Sequence, residues 1–141
     1  MQIDSIVNGV VIDHITAGSG MRLYELLHLD KLDTSVAMIM NASSNLMGKK
    51  DIIKIDGEIS LDLDVIGYVD PGATINIIRD GKLFEKKSLD LPEKLTNVLK
   101  CKNPRCISRT EQELPHIFKL TDKENKVYRC IYCETKAENK K

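Results

Sequence analysis

"ATINIIRDGKLFEKK", residues 73–87, decides the fold. Two β-rich runs meet at Asp80-Gly81, a dipeptide favoured where a two-residue turn needs positive φ at both central positions, so the stretch reads as a β-hairpin. Immediately before it, "ISLDLDVIGYVDPG" (59–72) reads as a short helix with Leu63 and Ile66 inward, ended by Asp-Pro-Gly. Further back, "TSVAMIMNAS" (34–43) and "KKDIIKID" (49–56) read as strands connected through "NLMG". "GSGMRLYELLHLD" (18–30) reads as a helix capped by Ser19, with Leu23, Leu26 and Leu27 on one face, and "NGVVIDHI" (8–15) as the first strand. The order is β α β β α β with one strand added. This is the ferredoxin-like split βαβ pattern, an α+β arrangement in which two helices cover one face of an antiparallel sheet. The other face is then wet, paired with another subunit, or used for binding.

Alternation along the strands sorts the polar residues. Lys50, Ile52 and Lys54 share one face of their strand, opposite Ile53 and Ile55; Thr74, Asn76 and Ile78 share one face, opposite Ile75 and Ile77. Lysines and an amide beside an apolar patch suit a phosphorylated heterocycle, with point charges on the phosphates and hydrogen bonds to the base edge. On these residues alone a solvated face with surface lysines is the better reading. His14 presents the same choice between a structural histidine and a phosphate partner. Asp13 and His14 can reach one ligand only if their strand bends or ends there, because neighbours on a regular strand point to opposite faces.

Beyond residue 97 the composition changes. Residues 1–97 hold 10 Lys+Arg against 15 Asp+Glu, a balance of −5, whereas residues 98–141 hold 11 against 6, a balance of +5, and contain all four cysteines. We expect two domains, 1–92 and 98–141, with a seam just after "DLPEKL", where Pro92 would interrupt strand pairing. The cysteines read Cys101-x4-Cys106-x23-Cys130-x2-Cys133. Two close pairs in a reducing compartment suit a metal better than two disulfides or four unrelated buried thiols. Four thiolates fit one tetrahedral zinc with no open position, hence a structural centre; an iron centre would use the same ligands. Lys100, Lys102, Arg105, Arg109 and Arg129 are placed to offset the −2 charge of zinc with four thiolates. The strands "HIFKL" and "KVYRC" offer only Ile117, Phe118, Leu120, Val127 and Tyr128 for burial, so this small all-β domain needs the metal to fold.

"GVVIDHI", "MGKKDIIKI", "ATINII", "LPEKLTNVLKCKNPRCIS" and "RCIYCE", in that order along essentially the whole chain, resemble the regulatory chain of aspartate carbamoyltransferase. The resemblance implies a non-catalytic subunit of the enzyme of de novo pyrimidine biosynthesis. Its front domain would bind nucleoside triphosphate effectors, CTP inhibiting, ATP activating and UTP reinforcing inhibition. Its zinc domain would dock on the catalytic chain, and regulatory homodimers would link catalytic trimers. Carried over residue by residue, the nucleotide pocket falls on Asp13, His14, Lys54, Asn76, Ile78 and Lys86, with Ile6 and Lys50 as neighbours. The resemblance raises His14 to a phosphate contact. This chain departs from the family at Gly81 and Lys82, where members commonly place a larger residue near the base and ribose.

Other classes fit less well. A nucleic-acid-binding module of the same fold relies on exposed aromatics in its sheet, yet the front domain has only Tyr24, Tyr68 and Phe84 and is acidic. A nucleotide hydrolase would need a Gly-rich phosphate loop, a paired-carboxylate motif or an activated nucleophile, and no such motif occurs. At 42% hydrophobic the chain has no apolar run near the roughly 20 residues of a membrane helix, and "MQIDSIVNGVVIDHI" lacks the pattern of a signal peptide. A cytoplasmic protein with no membrane or nucleic-acid partner is expected.

Overall fold

The central strand of the front unit is β1, Gly9–Thr16, hydrogen-bonded on one side to β3, Gly48–Asp56, and on the other to β4, Thr74–Arg79. The computed structural model describes residues 6–57 and 59–137 and divides the chain into two units, Met1–Asp90 and Leu91–Lys141. In the first, β2 (Val36–Ser44) and β5 (Lys82–Ser88) complete an antiparallel sheet of order β2-β3-β1-β4-β5. Helices α1 (Gly20–Leu26) and α2 (Leu63–Val69) send Leu23 and Ile66 into one core with Ile12, Ile15, Ile53, Ile55 and Ile75. This is the ferredoxin-like arrangement with one strand added. Each fully buried isoleucine contributes about 1.5–3 kcal/mol, so this core carries the unit without help. The turn at Asp80-Gly81 has φ 52° and 73°, the positive pair the sequence called for.

Among the register shifts of the front sheet, which also include one between Ile77 and Ile78 of β4, two carry a residue of positive φ. Ile12 faces Ile53 and Ile15 faces Asp51, so β1 has one residue more than β3 over this interval and bulges at Asp13–His14, with His14 at φ 58°. A second irregularity lies between Ile39 and Ala42 of β2, with Asn41 at φ 58°.

The start of α1 differs from expectation. Ser19 occupies the N-cap position, but its backbone is helical (φ −92°, ψ −10°) and its hydroxyl makes no capping bond. An N-cap oxygen reaches the next turn from an extended backbone, which Ser19 lacks. Asp51 takes over from β3: its Oδ2 accepts the N–H of Gly18 and of Gly20, and its Oδ1 accepts the N–H of Asn41, all at 3.0 Å. Gly20 is required there, because a Cβ would lie 2.9 Å from that Oδ2. At α2 the usual geometry holds, with Asp62 extended and accepting from Asp64 and Val65 at 3.1 and 3.4 Å. Asp70, also buried, accepts the N–H of Thr16 and of Gly72.

The second unit is a sheet of order β6-β7-β8: β6 (Lys94–Thr96), β7 (Ile117–Asp122) and β8 (Val127–Cys130). Its edge strand, Lys94–Thr96, lies between the two expected domain ranges. Leu95 needs burial and finds it beside Phe118 and Tyr128, each 1% exposed, while Tyr128 Oη donates to Pro92 O at 2.6 Å and Leu120 N to Glu93 O at 2.8 Å. One helical turn, α3 (Ile107–Thr110), follows Cys106, so the unit is not purely β. Among the described residues no helix is long and apolar enough to cross a membrane.

Asp51→Ala leaves three backbone donors without their acceptor and should lower the free energy of unfolding by about 3 kcal/mol or more, at about 1–3 kcal/mol per buried donor. Asp51→Asn keeps one carbonyl oxygen and should lose roughly half as much. Urea titration of the two variants tests this; a loss confined to Asp51→Ala, with Asp51→Asn as stable as the native chain, would show that Asp51 acts only by filling space.

Candidate functional site

The four cysteines arrive from two directions. Cys101 precedes a turn and Cys106 caps α3, while Cys130 ends β8 and Cys133 lies in the turn after it. All four are unbonded thiols whose Sγ atoms lie within 4.8 Å of one another. Cys101 and Cys133 are 3.5 Å apart and Cys106 and Cys130 3.6 Å. A tetrahedron of sulfurs at about 2.3 Å from a central zinc has edges of about 3.8 Å, so the cage fits that ion with little movement. Such a disposition closes the coordination sphere and serves as a cross-link.

Each sulfur has further support. Backbone N–H groups face the first cysteine of each pair: that of Asn103 for Cys101, those of Tyr132 and Cys133 for Cys130. Side-chain hydroxyls face the second: Ser108 Oγ lies 3.1 Å from Cys106 Sγ, and Thr135 Oγ1 lies 3.1 Å from Cys133 Sγ. Of the basic residues expected to balance charge, Arg109 donates to Cys101 O at 2.9 Å and Arg129 to Glu134 O at 3.1 Å. These two therefore brace the loop backbones that carry the ligands. Burial pushes the Cys101 thiol up to about 12, assisted by the adjacent sulfurs, and burial also raises Cys130. Burial opposes ionisation of Cys133 as well, but the Thr135 hydroxyl and N–H outweigh it and bring this thiol down to about 6. Without metal the cage thus loses one proton readily and holds others strongly.

The second candidate site is the sheet face opposite the helices. Backbone register aligns Lys54, Val11, Asn76 and Lys86 in one row across β3, β1, β4 and β5. Asn76 Oδ1 is buried in the middle of that row and has no hydrogen-bond partner among the described residues. At one end, the β1 bulge turns both Asp13 and His14 to this face, supplying the bend that the sequence required of them. Asp13 pairs with Lys50 Nζ at 3.0 Å and accepts the His14 N–H at 2.7 Å. Burial raises the Asp13 pKa, but the Lys50 ammonium and the His14 N–H outweigh it and leave the carboxyl below its usual range. His14 Nδ1 lies 3.0 Å from Thr74 Oγ1, and with Lys86, Thr74, Asp70, Leu46 and Met47 lines a cleft of about 450 Å³. At the other end Gly9 faces Ile78, and a Cβ on Gly9 would strike Ile55 O and lie 2.7 Å from Ile6 Cγ2. Ile6 thus packs where a side chain of residue 9 would stand.

The expected site residues therefore divide by position: Lys54, Asn76 and Lys86 in the middle row, Asp13, His14 and Lys50 at the bulge, Ile6 and Ile78 at the far end. Asp13 is engaged with Lys50, which makes it a positioner of that lysine. Ser108 and Thr135 escaped the reading of the sequence. Both carried a signal, since a hydroxyl residue stands two places after the second cysteine of each pair, in "CIS" and "CET". Alternation places Thr74 on the face of Asn76, but its partnership with His14, distant in sequence, carried no signal.

The chain matches two family models: residues 1–90 match "Aspartate carbamoyltransferase regulatory chain, allosteric domain", and residues 93–141 match "Aspartate carbamoyltransferase regulatory chain, metal binding domain". It is 50% identical over 135 residues to the aspartate carbamoyltransferase regulatory chain of Clostridium tetani, covering 95% of this chain and 94% of that one. Identity to the Clostridium botulinum (strain Hall) protein of the same description is 49% over 134 residues, covering 95% and 92%. For the Bifidobacterium longum protein it is 44% over 138 residues, covering 98% and 99%.

Removing the metal with a chelator should unfold the second unit and leave the front unit folded, because Leu95, Phe118 and Tyr128 are too small a core to stand alone. Loss of the second unit's NMR dispersion with retention of the first's is the expected readout. Zinc must also displace protons from Cys101 and Cys130, whose raised values keep them protonated at neutral pH, so affinity should climb as pH rises and fall with acidification. Competition against a chromogenic chelator at several pH values measures that slope; a flat profile would contradict it.

Proposed function

The chain belongs to the family of aspartate carbamoyltransferase regulatory chains, and from that premise we propose that the face bearing Lys54, Asn76 and Lys86 is its nucleoside triphosphate site. CTP would act there as inhibitor, ATP as activator and UTP as an accessory ligand. The family's regulatory chain is non-catalytic, combines an allosteric domain with a metal-binding domain, and acts in pyrimidine biosynthesis. We propose further that the chain works in the cytoplasm as a homodimer, and that its 98–141 domain docks on the catalytic chain so that such dimers link catalytic trimers.

One observation carries the nucleotide reading: a buried acceptor, Asn76 Oδ1, without a partner, in a row flanked by two lysines. A buried oxygen with no donor costs about 1–3 kcal/mol, which a ligand with a suitable N–H would recover. The exocyclic amines of cytosine and adenine are such donors, whereas uracil presents a carbonyl at the matching position. Lys54 and Lys86, with Lys50 held by Asp13, provide positive charge for the phosphates, and His14, fixed through Nδ1, keeps Nε2 for the same purpose. Ile6 and Ile78 offer apolar contact at the end of the face where Gly9 leaves room.

Regulation then follows from differential binding. An effector that favours one seating of the allosteric domain shifts the quaternary equilibrium of the attached catalytic chains by its difference in affinity, typically about 1–3 kcal/mol.

Titration calorimetry on the full, metal-loaded chain tests the site. Lys54→Ala and Lys86→Ala should each weaken CTP binding about tenfold or more, the loss of a charge-assisted hydrogen bond of about 1.5–3 kcal/mol. Asn76→Ala should narrow the gap between CTP and UTP. No binding of any nucleoside triphosphate at millimolar concentration would sink the reading, and failure to co-purify with a catalytic chain would sink the docking role.

A further inference from the structure

We propose that Ser108 and Thr135 are positioning residues of the metal centre, whose hydroxyls donate to the metal-bound thiolates of Cys106 and Cys133 and control how long the ion is retained. The proposal rests on the reading of the four cysteines as a metal site and concerns two residues outside the ligand set.

The two halves of the cage repeat one pattern. In each pair the first cysteine faces backbone N–H groups, Asn103 for Cys101 and Tyr132 with Cys133 for Cys130. The second cysteine of each pair has a hydroxyl two residues further on, at 3.1 Å from sulfur in both cases. In the sulfur pairs Cys101 with Cys133 and Cys106 with Cys130, one member of each has a hydroxyl beside it, and Cys133 also faces the N–H of Thr135.

Burial makes the arrangement more than incidental. Ser108 is only 2% exposed, so its hydroxyl has little access to water. As free thiols the cysteines need no such donor: Cys133 Sγ donates to Thr135 Oγ1, and between Cys106 and Ser108 either atom can donate. A metal-bound thiolate is an acceptor only, so once the ion is present each hydroxyl must turn its proton to sulfur. Four thiolates around a divalent ion leave a net negative charge among largely buried sulfurs. A donor to each sulfur spreads that charge and fixes the side-chain rotamer, as carboxylates do for metal-bound histidines. The main chain provides those donors for the first cysteine of each pair. Ser108 and Thr135 complete the set.

The test uses full-length chain loaded with zinc, and separately with cobalt(II), whose thiolate-to-metal charge-transfer band reports electron density on sulfur. Ser108→Ala and Thr135→Val, which remove the hydroxyl with little change of shape, should each speed zinc release to an excess of chromogenic chelator by about tenfold, the lower end of what loss of such outer contacts costs in affinity. The cobalt band should move to lower energy in both, and Thr135→Ser should restore the native rate and band. Unchanged release and an unchanged band in folded, loaded variants would overturn the proposal. So would faster release with an unmoved band, which marks a packing effect alone. If Ser108→Ala does not fold, the half-buried Thr135 pair, Val against Ser, decides the matter. A wild-type chain that carries no metal sinks the centre and the proposal together, whereas a loaded wild type with indifferent variants sinks only the role of the hydroxyls.

Discussion

On β1 the core and the proposed ligand face are written on the same eight residues with a period of two, so neither can shift without the other. Val10, Ile12 and Ile15 enter the core while Val11 and Asp13 look out, and a slip of one place would exchange the sets. Pairing on both sides carries this constraint outward: Val11 lies opposite Lys54 on one neighbour and Asn76 on the other, and Asn76 lies opposite Lys86. The charge arrangement of the face is thereby set by hydrophobic burial on its reverse. At the β1 bulge, Asp13–His14, the period breaks, and the break delivers two consecutive polar side chains to the same side.

Breaking the period has a cost that Asp51 offsets. Bulges and helix starts leave backbone N–H groups without ladder partners, and three of these lie within reach of a single carboxylate on the inner face of β3. Asp51 stands opposite Ile15, just past the β1 bulge, and takes donors from the entry to α1 and from the β2 irregularity. A fully buried carboxylate is tolerated there because its hydrogen bonds are satisfied. The same carboxylate thus ties a helix to two strands beside the proposed ligand face.

The second unit solves a different problem. With Leu95, Phe118 and Tyr128 as its main buried apolar side chains, it replaces area by a cross-link, and the cost moves to charge. Thiols that resist ionisation when buried together must give up protons to bind metal, so donors around the sulfurs become part of the structure. Main-chain N–H groups, two hydroxyls and the arginine braces on Cys101 O and Glu134 O are arranged to that end.

Element order, the Asp80-Gly81 turn, the inward isoleucines of β3 and β4 and the convergence of the cysteines were all legible in the sequence, because each depends on residues close together or on a short period. Asp51 was legible too, since alternation places it on the inward side with Ile53 and Ile55, although nothing local says what a carboxylate would do there. The bulge, the Lys54–Val11–Asn76–Lys86 row, the partnership of His14 with Thr74 and the recruitment of Lys94–Thr96 into the second sheet were decided only by tertiary structure. Each depends on the register between segments far apart in the chain, and register follows from which apolar sets can be buried together, a property of the assembled sheet that no single stretch contains.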